Sequence, residues 1–270
     1  MSGTVARLLI NCARALTWPM KSYRRANTLA QVSEGLVQQL SMAVPGGHIK
    51  FECQTARSLH DANSITHGEP ETVAWIDALP EASVLWDIGA NIGVYSLYAA
   101  FVRKIRVAAF EPSAASHAAL ARNIEINGLG ELIQPFCLAL SDVSAVDYLY
   151  MANTGAGHSM HAFAQNTAAE GVIETEFKQS VIGYSIDDFI GAFHVPTPDY
   201  VKLDVDSIEA KIIAGARNTL TGHVKSILVE ADQPAERTEH SEIKTLLDGM
   251  GFQMRPGNRE ARNYIFDKRP

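Results

Sequence analysis

Two stretches of the chain concentrate side chains that could do chemistry. In Asp199-Tyr-Val-Lys-Leu-Asp-Val-Asp206, strand alternation sets Val201, Leu203 and Val205 on one face and Lys202, Asp204 and Asp206 on the other. A central strand covered by helices on both sides pays heavily for such a charged row unless the charges are paired or used. A second apolar run, Ile227-Leu-Val-Glu-Ala-Asp232, also ends in acids, so Glu230 and Asp232 are expected beside Asp204 and Asp206 at one sheet edge. Crowded carboxylates need a cation. Lys202, a cationic cofactor, a substrate amine or a divalent metal would each serve. Asp204 and Asp206 are the candidate metal ligands, but two carboxylates two residues apart define a magnesium site only with further oxygen donors.

The other stretch is Val84-Leu-Trp-Asp-Ile-Gly-Ala-Asn-Ile-Gly93, an apolar strand ending in an acid, then a turn with two glycines, then an apolar helix. This is the pattern of a nucleotide-binding edge. Gly89 permits backbone conformations or a close ligand approach that a Cβ would hinder, Gly93 lets the next helix pack closely, and Asp87 can receive a polar cofactor group. A dinucleotide loop starting at Gly89 would want glycines at 91 and 94, where Asn91 and Val94 stand. S-adenosylmethionine, which has no phosphate, does not need them. The next strand ends at Glu111, 24 positions beyond Asp87, where a carboxylate can accept both ribose hydroxyls. After the third strand, Asp142 in Ala139-Leu-Ser-Asp142 is placed to meet the adenine amine. Taken singly, Asp87, Glu111 and Asp142 could each be a helix-capping or turn acid. Three such acids after successive strands point to a ligand edge.

Methyl transfer from a sulfonium requires chiefly that the acceptor be aligned and its proton removed. Asp204 is the expected base or orienting acid, Asp206 and Glu230 support it, and Lys202 sets the local charge. His158 and His161 are rival bases, since histidine titrates near neutrality; the plainer reading makes them solvated loop residues.

The elements that must position these groups follow an α/β rhythm. Strands are expected near 84–88, 106–111, 133–138, 199–205, 226–231 and 263–267, and helices near 71–79, 92–103, 114–127, 208–218 and 239–250. Between the third and fourth strands, Tyr148 to Pro198 reads as a loop carrying Gly155, Gly157, His158 and His161, then a short helix opened by Ser185. Residues 1–47 read as an N-terminal helical extension broken at Pro45-Gly46-Gly47, and 48–270 as the main domain, beginning with a strand at His48–Cys53. The extension carries Arg7, Arg14, Lys21, Arg24 and Arg25 with no acid before Glu34. Its apolar run is far too short to span a membrane; a docking or dimerisation arm, and hence a homodimer, or a surface-membrane helix are the readings it leaves. The net charge of −7 and the absence of a broad basic stripe argue against nucleic acid as partner. Three unpaired cysteines, Cys12, Cys53 and Cys137, fit a reduced cytoplasmic protein.

Over Val84 to Asp232 the sequence resembles the FkbM family of S-adenosylmethionine-dependent methyltransferases. The resemblance rests on Asp87-Ile-Gly-Ala-Asn-Ile-Gly93, Phe110-Glu-Pro112 with Leu120-Ala-Arg-Asn123, Ala139-Leu-Ser-Asp142, and Val201-Lys-Leu-Asp-Val-Asp206 continuing into Glu209 and Gly215-Ala216. It implies a Rossmann-like, doubly wound seven-stranded sheet and O-methylation of hydroxyls on sugars or other small molecules. The family's first motif maps onto Asp87, Gly89, Asn91 and Gly93, and its ribose acid onto Glu111. Ser207 departs from the glycine usual after the last acid. The competing expectations are a non-catalytic cofactor-binding scaffold, N-methylation of a small amine, and a nicotinamide-dependent oxidoreductase, which Asn91 and Val94 disfavour.

Overall fold

The computed structural model describes residues 2–159, 161–168, 171–206, 208–230, 238–256 and 262–269. Ser207 and Asp232, which the sequence places at the catalytic edge, lie outside the described residues. The chain forms two compact units, one up to Gln39 and one from Leu40 onward. In the first, helices α1 (Ser2–Thr17) and α2 (Ser22–Gly35) follow each other through a short turn. The helical pattern expected up to Pro45 stops earlier. Gln38–Val44 is strand β1, paired with β2 (Gly47–Cys53). Leu40, Met42 and Val44 alternate with more exposed neighbours, the period of a strand, and Gly46 at φ +84° turns the hairpin.

Helices α3 (Ala56–Asn63) and α4 (Pro70–Asp77) lead into β3 (Val84–Ile88), α5 (Val94–Arg103), β4 (Arg106–Phe110), α6 (Ala114–Ile126) and β5 (Ile133–Phe136). An insertion then supplies β6 (Ala139–Ser141), β7 (Ala145–Met151), β8 (His161–Phe163), β9 (Thr167–Ala168), β10 (Gly171–Val172), β11 (Phe177–Ser185) and α7 (Ile186–Ala192). The main sheet resumes with β12 (Tyr200–Leu203), α8 (Glu209–Ala214), α9 (Arg217–Gly222), β13 (Ser226–Glu230), α10 (Thr238–Gly249), β14 (Phe252–Met254) and β15 (Asn263–Lys268).

The main sheet has seven strands in the order β14-β15-β13-β12-β3-β4-β5, with β15 antiparallel to its neighbours. The chain winds outward from β3 through β4 to β5, then returns to lay β12 on the other side of β3. The direction of winding therefore reverses between β3 and β12, and ligands bind at the carboxyl ends of strands at such a reversal. Both faces of the sheet are dry. Val84, Trp86 and Ile88 pack into one core with Phe110, Leu203 and Val229, while Leu85 faces a second core with Tyr98, Val107 and Leu228. Asp87 and Lys202 are register partners across β3 and β12.

The expected loop after the third strand is largely a second sheet, in the order β6-β11-β7-β8. Its main pair, β7 with β11, joins Met151 to Phe177 and Ala145 to Gly183, a pairing between segments far apart in sequence that local pattern does not reveal. The short helix opened by Ser185 is present, with the Asp188 amide donating to the Ser185 hydroxyl. The helix expected over 208–218 is divided into α8 and α9 around Gly215. A Cβ on Gly215 would stand 2.3 Å from the carbonyl oxygen of Ser141, so the glycine lets this segment press against the end of β6.

Candidate active site

The turn after β3 is held by the next strand. Gly89, Asn91 and Gly93 all have positive φ, at +85°, +50° and +92°. The amides of Gly89 and Ala90 both donate to the carbonyl of Phe110 at 3.0 Å, and the Asn91 amide donates to Glu111 Oε2 at 2.9 Å. Glu111 Oε1 accepts from the Ser113 amide at 2.7 Å. Glu111 thus organises the turn from beneath and keeps lone pairs for a ligand. A Cβ on Gly89 would stand 1.8 Å from the carbonyl oxygen of Asp204, and one on Gly93 would stand 2.5 Å from Leu120 Cδ1. The requirement at Gly89 is therefore close passage over the end of β12, and at Gly93 the packing of α5 against α6. Gly89→Ala should lower the melting temperature by several degrees and abolish cofactor binding, since both the clash and the left-handed backbone oppose alanine. A calorimetric scan giving the wild-type temperature would show that the strand ends separate without cost.

Lys202 is the hub of the acid-rich edge. Its side chain is 2% exposed, with Nζ 2.6 Å from Asp204 Oδ2, 3.9 Å from Asp87 Oδ1 and 5.1 Å from the centroid of the Tyr95 ring. Asp87 is equally buried, and its other oxygen accepts from the Ser96 hydroxyl at 2.5 Å. Its carboxylate is turned toward Lys202 and toward Ser96 of α5. Asp204 is partly exposed and hydrogen-bonds to the Glu230 carboxyl.

The regular alternation stops at Leu203. Beyond it the chain leaves the sheet, so Asp206 does not continue the row with Lys202 and Asp204. Asp206 Oδ2 accepts from the His161 amide at 3.0 Å, tying this bend to β8 of the inserted sheet. The carboxylate that joins Asp204 and Glu230 is instead Glu69, whose oxygens approach theirs to within 4.8 Å. Glu69 precedes Pro70 at the start of α4 and accepts from Thr72 Oγ1 at 2.8 Å and Asn263 Nδ2 at 3.2 Å. If carboxylates here held a metal, the set would be Glu69, Asp204 and Glu230 rather than Asp204 and Asp206.

Beside the turn lies a small, mostly apolar cleft that is open to solvent. Gly89, Pro112, Ala139, Leu140, His161 and Phe163 are among its lining residues. The main sheet provides its floor, and the inserted sheet provides a wall through Leu149, His161 and Phe163. Asp142 is exposed just past β6, bound by the Ser141 hydroxyl at 3.1 Å, and does not line the cleft. His158 sits on a loop pinned over the turn, where Asn91 Nδ2 donates to the Gly157 carbonyl at 3.3 Å and Thr55 Oγ1 to that of Ala156 at 2.7 Å. The charged neighbour the structure gives His158 is Asp61 of α3, not Asp204.

The FkbM methyltransferase domain matches residues 87–254. This chain belongs to the FkbM family of S-adenosylmethionine-dependent methyltransferases. It is 25% identical over 213 residues to the hexuronic acid methyltransferase AglP of Haloferax volcanii, covering 78% of this chain and 82% of that one. It is 24% identical over 186 residues to Methyltransferase 1 of Beauveria bassiana, covering 64% and 73% respectively. The FkbM methyltransferase structure from Methylobacillus flagellatus superposes with a TM-score of 0.49 at 16% identity, over 70% of this chain and 44%, less than half, of that one.

Electrostatics divide the acids of this methyltransferase into distinct kinds. Burial pushes Glu111 up to about 7, helped by the charges of Asp206 and Asp87 and opposed by the two backbone amides. Burial also raises Asp87, with Lys202 and Ser96 offsetting part of the effect. Burial would raise Asp204 too, but the Lys202 ammonium and the hydrogen bond with Glu230 outweigh it and hold Asp204 below its usual range. Glu230 moves the other way, raised by its hydrogen bond to Asp204, by the Asp204 charge and by burial. Lys202 is raised because Asp204, Asp87 and Glu69 outweigh its desolvation. The proton shared at this edge therefore resides on Glu230, and Asp204 is the charged oxygen acceptor. Glu69, Tyr95 and Ser96 were not among the groups singled out from sequence. Ser96, polar in the otherwise apolar run from Val94 to Val102, was the one visible signal; nothing local marks Glu69.

Proposed function

We propose that this methyltransferase transfers a methyl group from S-adenosylmethionine to a hydroxyl on a small molecule, with a sugar as the favoured acceptor class. The observation that carries the reading is Asp204 beside the glycine turn, partly open to solvent, 2.6 Å from the buried Lys202 ammonium and hydrogen-bonded to Glu230. The residues present fit the cofactor. The apolar cleft between Pro112 and Ala139 suits a flat adenine ring. Glu111, with spare lone pairs, suits the ribose hydroxyls, and the acid-rich edge suits a sulfonium and an ammonium. Asp142 has no part in this assignment, and Asp87, Asp206 and Gly93 support the site through their contacts within the chain.

Bound S-adenosylmethionine supplies a methyl carbon already activated for in-line displacement. The chain has to orient the acceptor hydroxyl and take its proton. Asp204 accepts the hydroxyl's hydrogen bond, directing an oxygen lone pair at the methyl carbon. Asp204 takes the hydroxyl proton as the methyl group is transferred, for which the bound cofactor would supply a sulfonium that leaves as the neutral thioether. Glu230 steadies the carboxylate by donating to it, and Lys202 keeps it ionised.

The sugar acceptor is supported by the similarity to AglP. The negative surroundings of Asp204 favour a neutral hydroxyl at the reacting position, with any acceptor carboxylate held elsewhere. N-methylation is the second reading, supported by the proximity of Glu69, Asp204 and Glu230, which would attract an ammonium. Formation of S-adenosylhomocysteine with neutral or uronic sugars supports the first reading; formation with small amines alone supports the second.

Cofactor binding is tested by calorimetric titration across pH. Ribose hydroxyls donate to ionised Glu111, so affinity should be full above its pKa of about 7 and fall by up to about tenfold per pH unit below it. Glu111→Gln should bind more weakly with a flat pH profile. A wild-type affinity that does not change between about pH 8.5 and about pH 5.5 would remove Glu111 from the ribose site.

A further inference from the structure

We propose that helix α1 and the turn after it form a docking element for anionic lipid surfaces, seating the protein peripherally on a membrane. The argument uses the first unit alone. On the 16-residue helix Ser2–Thr17, Val5, Leu8, Leu9, Cys12 and Leu16 recur at spacings of three and four and form one face, while Arg7, Asn11 and Arg14 form the opposite one. The apolar face is uncovered: Leu8 and Leu9 are each 63% exposed and Leu16 79%. The turn that follows adds Trp18 at 74%, and the start of α2 adds Tyr23 at 82%, two side chains with an apolar body and a polar tip that favour the headgroup boundary. Arg25 lies over the Trp18 ring at 5.2 Å, which places a cation beside the aromatic.

Charge identifies the occupant. Residues 1–39 carry five cations, Arg7, Arg14, Lys21, Arg24 and Arg25, against the single acid Glu34. That net charge of +4 leaves −11 for the remainder of a chain whose total is −7. A cationic amphipathic helix with an open apolar face matches a bilayer with anionic headgroups above hydrocarbon. A second copy pairing through the same face would cover the apolar side chains but give the five cations no anionic partner, whereas an anionic bilayer engages both. The acidic body is repelled by the same headgroups, so contact is confined to the arm. No described helix is long and apolar enough to cross a membrane, and at about 24 Å the helix is of a length to lie in the interface.

The test is sedimentation of the full-length protein with vesicles of phosphatidylcholine containing about one third phosphatidylglycerol, and with phosphatidylcholine alone. The expected result is binding to the anionic vesicles, weakened at least about tenfold by raising salt from about 0.05 to about 0.5 M. Binding should also fall at least about tenfold in Leu9→Glu and in the Arg7→Glu, Arg14→Glu double variant. Trp18 reports the insertion, because Trp75 and Trp86 are buried at 2% and 0%; its emission should shift to the blue with anionic vesicles only. Titration with S-adenosylmethionine serves as the control for folding, and should be the same in wild type and variants. Equal recovery of wild type and Leu9→Glu overturns the proposal. So does an arm-dependent dimer by light scattering that leaves the vesicles unbound.

Discussion

Asp204→Asn is expected to slow methyl transfer by about 10²–10⁴-fold, the range of a lost general base, while leaving S-adenosylmethionine affinity near the wild-type value. The two carboxamide atoms occupy the positions of the carboxylate oxygens, so Lys202 keeps an acceptor close to the present 2.6 Å contact and the turn at Gly89 is undisturbed. What is lost is the charge that directs the acceptor lone pair and the basicity that receives the proton. Glu230 responds. Its raised pKa derives first from Asp204, so removing that charge lets Glu230 ionise nearer its ordinary range and act as a weaker substitute. The single variant should therefore recover part of its rate as pH rises, and Asp204→Asn with Glu230→Gln should lose that recovery. Single-turnover formation of S-adenosylhomocysteine across pH measures both. A single variant with wild-type turnover would transfer the role of base to another group, and His161, which lines the cleft, would be the first to examine.

Why the proposed base, Asp204, stands out in the sequence while its surroundings do not is a matter of distance along the chain. Alternation over Val201 to Asp206 singled out Lys202 and Asp204 because a charge on a dry central strand is conspicuous by type alone. The same rule carried the row one step too far. Alternation holds only while the backbone stays in the sheet, and at Asp204 it leaves, sending Asp206 to the His161 amide. Glu69 lies 135 positions before Asp204 and reaches it only through the packing of α4 on a face of the main sheet, where Trp75 meets Tyr200 and Ser226. Its neighbourhood contains nothing but an ordinary acid before a proline. Six of the main sheet's strands are legible as a rhythm of strands and helices, and the doubly wound seven-stranded sheet through the family resemblance; β14 carries no such pattern. The inserted sheet is not legible, since β7 and β11 are separated by a stretch without a hairpin signal. The acids at the end of β3, after β4 and after β6 stand out as a set in the sequence, and their surroundings differ: Asp87 meets Lys202 and Ser96, Glu111 accepts from the amides of Asn91 and Ser113, and Asp142 is bound by the Ser141 hydroxyl.

Lys202→Met is expected to be the most destabilising single substitution in the site. Methionine fills nearly the same volume, so the loss is electrostatic rather than a cavity. Removing one member of a buried ion pair leaves the other uncompensated, at a cost of about 3–5 kcal/mol, a large share of the roughly 5–15 kcal/mol by which domains are stable. Two carboxylates lose the same partner, Asp204 at 2.6 Å and Asp87 at 3.9 Å. The pH dependence identifies the cause. In the wild type Asp204 is held below its ordinary range, so its contribution to stability is present above the unfolded pKa and is lost as pH falls through the folded one. In Lys202→Met, burial without the ammonium raises both acids above their unfolded values. The stability that remains is then fullest in acid and is lost as pH rises through those raised values. The gap between variant and wild type should be widest near neutrality and should narrow toward about pH 4, near the unfolded value. Adding Asp204→Asn to Lys202→Met removes one orphaned charge, so the double variant should be more stable than Lys202→Met at neutral pH, a coupling that a double-mutant cycle in urea measures directly. Additive losses in that cycle would mean that Lys202 stabilises the edge by packing its chain against Tyr95, with Asp204 held by Glu230 alone.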